Sequence, residues 1–349
     1  MVIVGIDAHK RTHTAVAIDE AGRKLGEKTT MRTTSEANLE LVRWADGFGP
    51  ERRFAVEDCR HLSRRLEADL LAAGEVLVRV PPKLMAHARD AARTYGKSDP
   101  IDALAVARAA QREPDLPIAR LDGASRELRL LVDHREDLVR DRVAQINRLR
   151  WHLRELDPAW DPAPRSLGRF KRLDEVAARL EGLDGTVAWI ARDLVGRIRE
   201  LTVAVNDLER RIVGAVSSLA PTLLDLPGVG ALTAAKIVAE VADVRRFRSK
   251  DAFARHNGTA PLPVWSGNRV RHRLSRTGNR QLNTAIHRTA VTQIRIHDDA
   301  KVYLARRIGM GNTKTEAIRA LKRKLSDVVY RALLADAEAA AVTSLGEAA

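Results

Sequence analysis

The sequence predicts an α/β domain at the N-terminus and an all-α remainder, made of a helical coiled-coil segment and a mainly helical C-terminal domain. Three observations predict it. Before residue 110, short β-branched apolar runs alternate with segments of helical spacing. Between 126 and 218, apolar residues recur every seven positions. Beyond 219, a Pro-Gly-apolar-Gly turn opens another run of helix formers.

Taken in order, Val2 to Ile6 and His13 to Ile18 read as two strands, and Asp19-Glu-Ala-Gly22 as a turn into a third over Lys24 to Arg32. Ser35 to Trp44 has helical spacing in Leu39, Leu41 and Val42. Phe54 to Val56 is a strand, Leu62 to Ala73 a helix, and Val76 to Val80 a strand stopped by Pro81 and Pro82. An alanine-rich helix follows over Ile101 to Ala110. Three strands, then helix, strand, helix, strand and helix, is the order of an RNase H-like α/β layer, assigned to 1–110.

Residues 111–218 read as a linker and a coiled-coil helical segment. The linker, 111–125, holds two prolines. Val187, Leu194, Leu201 and Leu208 form one heptad series, with Ala191, Ile198, Val205 and Ile212 as its companion. Val132, Val139, Ile146 and Leu153 also recur at seven, but Arg135 and Arg142 interrupt their partner series. Three prolines between Asp157 and Leu167 suit a chain reversal, so an antiparallel helical hairpin is expected, with dimerisation through it as a hypothesis. Residues 219–335 form a third, helical unit, and 336–349 an alanine-rich tail expected to fray.

Charge narrows the partner. Sixty Lys and Arg against 46 Asp and Glu leave a formal +14, which favours a polyanion. Eleven of those cations and one acid, Asp251, lie between 245 and 288, so the excess is focused. An anionic membrane is the rival partner, but no apolar run is long enough to span one, and the first ten residues lack a signal-peptide layout. With aromatics at 4%, recognition dominated by stacking is not expected. The single cysteine, Cys59, excludes an internal disulfide and a zinc-ribbon scaffold, and a cytoplasmic, nucleoid-associated location is expected.

Four carboxylates fall at element ends. Asp7 follows the first strand, Glu57 follows Phe54 to Val56, and Asp99 and Asp102 are three apart, sharing a helix face. Such a set could hold two hard cations about 4 Å apart, as in-line phosphoryl transfer requires. Each residue also has a plain reading. Asp99-Pro100 fits an N-cap followed by proline, Asp7 fits a turn, and Glu57-Asp58 a solvated loop. Gly5-Ile-Asp7 would also suit an actin-like kinase, but the chain lacks that fold's second glycine-rich segment and duplicated domain.

Leu224-Asp-Leu-Pro-Gly-Val-Gly230 and the helix after it resemble a helix-hairpin-helix. There Gly228 and Gly230 would let backbone N–H groups approach a phosphate without reading sequence. An ordinary helix–helix turn is the plain alternative. Downstream, Pro261-Leu-Pro-Val-Trp-Ser-Gly267 precedes Arg269, Arg271, Arg273, Arg276 and Arg280. Arginines there could grip a backbone and stabilise a pentavalent phosphorus, while Ser266-Gly267 alone reads more readily as a turn.

These features in this order resemble the DEDD insertion-sequence transposases, described as bridge-RNA-guided recombinases. The matching segments are Gly5-Ile-Asp7, Val56-Glu57 and Lys97-Ser-Asp-Pro-Ile-Asp102-Ala in a RuvC-like half. In the transposase half they are Leu226-Pro-Gly-Val-Gly230, Phe253-Ala-Arg-His-Asn-Gly258, Pro261 to Gly267, and Gly278-Asn-Arg-Gln-Leu282. The resemblance implies an acidic tetrad of Asp7, Glu57, Asp99 and Asp102 holding Mg2+, and Ser266 as a nucleophile forming a transient link to DNA. It also implies a non-coding bridge RNA and a dimer or tetramer that assembles the two halves from different subunits. One departure is Asp58-Cys-Arg-His-Leu62, where many relatives carry small residues, a glycine and an aromatic, so Asp58 competes with Glu57. A RuvC-like nuclease without serine chemistry and a non-catalytic DNA-binding protein are the alternatives.

Overall fold

The computed structural model describes all residues except 59, 82–83, 86–97, 114–115, 117, 120–122, 267–268, 274–277 and 347–349, with backbone alone at 60–61, 264–266, 269–273 and 343–346. The chain divides into two compact units, Met1–Leu121 and Asp122–Ala349. Among the described residues no helix is long and apolar enough to cross a membrane.

The first unit is built on β1 (Val2–Ala8), β2 (His13–Ile18), β3 (Lys24–Thr30), α1 (Ser35–Asp46), β4 (Arg52–Glu57), α2 (Arg60–Ala72), β5 (Leu77–Val80) and α3 (Asp99–Arg112). Its sheet has the order β3-β2-β1-β4-β5. β1, β2 and β3 pair antiparallel, and β4 and β5 continue parallel to β1. This is the RNase H-like layer that the element order predicts. β1 runs two residues further than its apolar run, because Asp7 and Ala8 still pair with Thr14 and His13. The segment read as a linker is partly bound to the sheet: Ile118 bridges Val78, and the Ala119 amide donates to Leu77 at 2.7 Å.

Strand alternation divides this sheet between two cores. Val4, Ile6, Ala15, Ala17, Phe54 and Val56 pack on one face, with Leu41 of α1 and Leu66 and Leu70 of α2. Ile3, Val16, Ile18, Ala55 and Val78 pack on the other, with the alanines of α3. Gly5 lies on the α3 face. A Cβ built there would stand 2.3 Å from the Ala103 carbonyl oxygen and 2.4 Å from the Ala107 nitrogen, so strand and helix backbones nearly touch. Small residues on both elements permit that approach.

The second unit holds α4 (Gly123–Leu156), α5 (Phe170–Glu181), α6 (Thr186–Leu219), α7 (Pro221–Leu224), α8 (Ala231–Val241), a 3-10 turn (Val244–Arg246), α9 (Lys250–His256), β6 (Leu262–Ser266), β7 (Arg269–Arg273), α10 (Arg280–Ile296), α11 (Asp298–Gly309) and α12 (Lys314–Gly346). α4 and α6 run antiparallel. Leu128 and Val132 share a core with Ile212 and Val216, while Leu149 and Leu153 share one with Ala191 and Ile198. The buried seam of α6 keeps the expected row Ala191, Ile198, Val205 and Ile212. Beside it Val195, Thr202 and Val216 are buried and Glu209 is half-buried, while of the leucine series Leu194 is buried and Leu201 and Leu208 are half-buried. The reason is polar. Arg135 donates to Glu209 through Nε at 2.9 Å, and Arg142 donates to the Thr202 hydroxyl at 3.5 Å, so the two arginines that interrupt the α4 heptads meet partners in the seam. Burial, then the neighbouring Arg135, holds Arg142 below its ordinary value.

One apolar core runs from this helical pair through α8, α10 and α12, so the middle and C-terminal segments form a single unit. Buried Lys236 of α8 reinforces the junction, with Glu136 of α4 at 2.9 Å. α12 continues to Gly346, through the stretch read as a tail. Asp336 on it accepts the amides of Thr222 and Leu223 at 2.9 and 3.3 Å and thereby caps α7.

The β6–β7 ribbon rises from a fixed base. A Cβ at Gly278 would stand 2.4 Å from the Gly258 nitrogen, so the chain entering and the chain leaving the ribbon cross backbone on backbone. The Asn279 amide donates to the His256 carbonyl at 2.7 Å, and Asn283 Nδ2 donates to the Asn257 carbonyl at 2.7 Å. Fully buried Asn257 donates to Ser326 at 2.8 Å, tying the crossing to α12.

The packing of α3 on β1 yields the first prediction. Gly5→Ala should destabilise the N-terminal unit by about 1–3 kcal/mol through overpacking. Hydrogen exchange should accelerate in β1 and α3 and stay unchanged in α8 and α10. Wild-type exchange in the variant would mean that the close approach is not a constraint.

Candidate active site

The helix on Gly5 sets the site. α3 starts at Asp99 with Ser98 in the N-cap position, so Asp99 is the first helical residue and not the cap, and Pro100 is the second. The Asp102 amide closes the first turn on the Ser98 carbonyl at 3.0 Å. Because α3 lies against β1, this first turn stands beside the end of the strand, where Asp7 points to the same face as Gly5. Asp7 and Asp102 are both buried, 7% and 6% exposed, and Asp99 is half-exposed.

Glu57 joins them by register. Ile6 pairs with Val56 on the parallel neighbour, so the next residues, Asp7 and Glu57, lie near the ends of adjacent strands. Ala55 packs on the α3 face, and alternation carries Glu57 to that face as well. Asp58, one residue on, lies in a bend beyond the strand, and its amide bonds the Val80 carbonyl at 2.9 Å. Asp7, Asp99 and Asp102 therefore stand together, and strand register places Glu57 on the same side of the sheet. Cys59 lies outside the described residues.

A fifth residue was missed in the sequence. His9 Nε2 lies 2.9 Å from Asp7 Oδ2 and 3.4 Å from Asp99 Oδ1. Asp7, His9 and Asp99 each offer one atom within 4.8 Å of the others, an arrangement that could hold a metal ion. The available signal was spacing: Asp7 and His9 are two apart at a strand end, where alternate residues share a face.

Electrostatics bind this group. Burial pushes the Asp7 carboxyl above its ordinary value; the Coulomb attraction and hydrogen bond of His9 oppose that shift, and Asp102 and Asp99 add to it. Neighbouring carboxylates in a partly dry pocket repel, and a cation relieves them. The donor set, oxygen-rich with one imidazole nitrogen, fits a divalent ion such as Mg2+ or Mn2+.

The second unit carries the remaining predicted residues. Gly228 has φ +78, and a Cβ there would meet the Thr289 carbonyl oxygen and the Thr292 and Gln293 side chains at 3.2–3.3 Å. Gln293 also donates to the Pro227 carbonyl at 2.7 Å. Gly228 therefore serves the turn and its seat on α10, whereas Gly230 is exposed at the N-cap of α8. In the ribbon, Ser266 is the last residue of β6 and pairs with Arg269, Val264 with Arg271, and Leu262 with Arg273. These six positions occupy one face of the two-stranded ribbon. Arg280 is exposed at the start of α10, and Arg276 lies outside the described residues.

Comparisons with known proteins agree with both halves. Residues 4–158 match a model of DEDD transposases of the IS110 type, described as a transposase, and residues 220–305 match one described as the transposase IS116/IS110/IS902 family. An insertion element IS116 protein of 44.8 kDa from Streptomyces clavuligerus is 30% identical over 95% of this chain and 94% of its own. An insertion element IS900 protein of 42 kDa from Mycobacterium paratuberculosis is 28% identical over 95% of each. A transposase for insertion sequence element IS1111A from Coxiella burnetii is 28% identical over 54% of this chain and 53% of its own. Among solved structures, T. thermophilus RuvC in complex with a Holliday junction substrate aligns over 34% of this chain and 99% of its own, at 17% identity and a TM-score of 0.27. With its α/β half and its helical half both matched and the first relative similar almost end to end, the chain belongs to the IS110/IS116 family of DEDD insertion-sequence transposases.

Proposed function

We propose that this transposase cuts and rejoins DNA with a divalent cation, Mg2+, held by Asp7, Glu57, Asp99 and Asp102, and with Ser266 as the nucleophile. The carrying observation is the grouping of Asp7, Asp99 and Asp102 beside the end of β1, with Glu57 on that sheet face by register and buried Asp7 above its ordinary value. A cation bound there would neutralise charge on the attacked phosphate. Asp7 and Asp102, the buried pair, fix its position, and half-exposed Asp99 lies on the solvent side. His9 holds Asp7 and Asp99 together and offers a nitrogen to the same ion.

Ser266 would attack phosphorus through Oγ, lose its proton, and form a serine–phosphate ester as the bond to one DNA oxygen breaks and leaves a free hydroxyl end. Attack by the hydroxyl of another strand on that ester rejoins DNA and returns the serine. Arg269, Arg271 and Arg273, at positions on the ribbon face of Ser266, would balance charge on the five-coordinate phosphorus. Arg276 and Arg280 extend the grip on the backbone. The turn through Gly228 and Gly230 would act as a helix-hairpin-helix, offering the first N–H groups of α8 to a phosphate. The protein works as an oligomer of this chain in the cytoplasm, and a bridge RNA supplies the sequence choice that phosphate contacts cannot.

The metal reading is tested through Asp7. Its raised value means that stability is fully present while the carboxyl is protonated and is lost as pH rises through the folded-state value. In metal-free protein Asp7→Asn should remove that decline, so its melting temperature gains on wild type as pH rises above about 4. Adding Mg2+ should stabilise wild type by about 2.7 kcal/mol at a hundred times its dissociation constant and leave the variant unmoved. Equal responses in both proteins would remove the site.

Serine chemistry is tested by trapping. Ser266→Ala should abolish both the protein–DNA adduct and recombination, whereas Asp102→Asn should abolish cutting and leave duplex binding intact. An adduct that survives S266A eliminates this serine. Cutting without joining in that variant would point to a nuclease that uses water, and unchanged cutting in D102N to a protein whose acids are structural. For the guide, recombination reconstituted with the flanking element should stop after ribonuclease treatment and resume when the element's RNA is restored; reaction without RNA defeats that part alone.

A further inference from the structure

Far along the sequence from the acidic site, the end of α4 and the loop after it form a cavity of about 370 Å³ lined by Asn147, Arg150, Trp151, Arg154, Trp160 and Asp161, among others. Asn147, Arg150, Trp151 and Arg154 recur at three and four residues and so share one helix face. Trp151 is 74% exposed, an outward-facing aromatic that the core does not use. Trp160 is its opposite, 8% exposed and fixed by the Arg179 guanidinium 4.1 Å above its ring, with Arg179 bonded to Asp157 at 2.5 Å. Arg150 pairs with Asp161 at 2.5 Å, and Arg154 is exposed. The pocket thus has a rigid wall, a free aromatic face and cations at its rim.

The loop over 157–169 adds a second observation. Arg165 is exposed at φ +63, a left-handed conformation that a side chain with a Cβ pays for. A glycine would take that conformation without the cost. The sequence instead carries an arginine there, in the same loop as Trp160 and Asp161. Composition hides this concentration: three of the five tryptophans, Trp151, Trp160 and Trp189, fall in the helical tip.

We propose that this pocket binds one unpaired nucleotide of a single-stranded nucleic acid, its base stacked on Trp151 and its phosphate held by Arg154 with Arg150. The volume falls at the lower end of the roughly 300–1,000 Å³ typical of ligand pockets, which suits one nucleotide and not a duplex. Aromatic faces accept any base, and arginines supply the backbone contact, so recognition is insensitive to sequence. The occupant is RNA or a DNA strand opened from its partner. The proposal stands on the pocket's own chemistry and does not need the serine reaction or a guide RNA.

The experiment measures fluorescence anisotropy of labelled single-stranded RNA, single-stranded DNA and duplex DNA against full-length wild type, Trp151→Ala, Arg154→Ala and, as a control outside the pocket, Trp189→Ala. Trp151 is exposed, so its replacement leaves the core intact. W151A should weaken binding of at least one single strand about tenfold, the loss of one base stack, without changing duplex affinity. R154A should lower the slope of log affinity against log salt for that strand by about 0.7. W189A should match wild type within about twofold. Loss with RNA alone or with DNA alone identifies the source. Wild-type single-strand binding by W151A overturns the proposal, as does a W151A effect confined to oligomer size by light scattering, which would make this face a contact with a second copy.

Discussion

Helix α3 can rest on β1 only because Gly5 has no side chain. A single methyl at that position would sit inside the backbone of Ala103 and Ala107, and the alanines along the helix keep the rest of the contact equally shallow. That approach has a chemical consequence. It carries the first turn of the helix, with Asp99 and Asp102, to the end of the strand that carries Asp7, and the parallel register of β4 adds Glu57. Burial above all raises the Asp7 carboxyl above its ordinary value, and repulsion from Asp102 and Asp99 adds to the shift. Packing therefore imposes an electrostatic problem, like charges held close together beside a strand end. His9 answers part of it, with a ring nitrogen between Asp7 and Asp99.

The second unit repeats the device with a different purpose. Gly258 and Gly278 bring two backbones into contact at the base of the β6–β7 ribbon, and asparagines 257, 279 and 283 consume the polar groups that such a crossing leaves inside the protein. The ribbon's foot is thereby fixed to α10 and α12. In each unit a glycine permits a backbone approach, and the residues proposed for chemistry lie one short step beyond it.

The strand order was legible because turns and prolines punctuate the first hundred residues and because the apolar runs are short. The acids were legible by position, at element ends that a sheet of this order brings together. Finer points depended on partners distant in sequence. Asp99 read as a cap because Asp-Pro is a common helix start, yet Ser98 takes that place and leaves the carboxylate to face Asp7. His9 carried no mark until the neighbouring acids were placed around it. The α6 seam read as leucine-lined because heptad counting rewards apolar residues, whereas Arg135 and Arg142 across the pair select Glu209 and Thr202. A low aromatic fraction argued against stacking, but an average over 349 residues is blind to tryptophans collected at one tip.

On the proposed reading, affinity and chemistry belong to different parts of the chain, and electrostatics requires it. Four carboxylates on one sheet face repel a phosphate, so the acidic site depends on a cation to admit the backbone. Ten of the fourteen excess positive charges lie between 245 and 288, on the ribbon and its flanks. That segment can hold DNA whether or not the acidic site is loaded, and its hold must fall with salt as counterions return. A protein so divided can engage the wrong duplex without cutting it. Cutting then waits on the event that brings a phosphate to the acids with its charge already compensated.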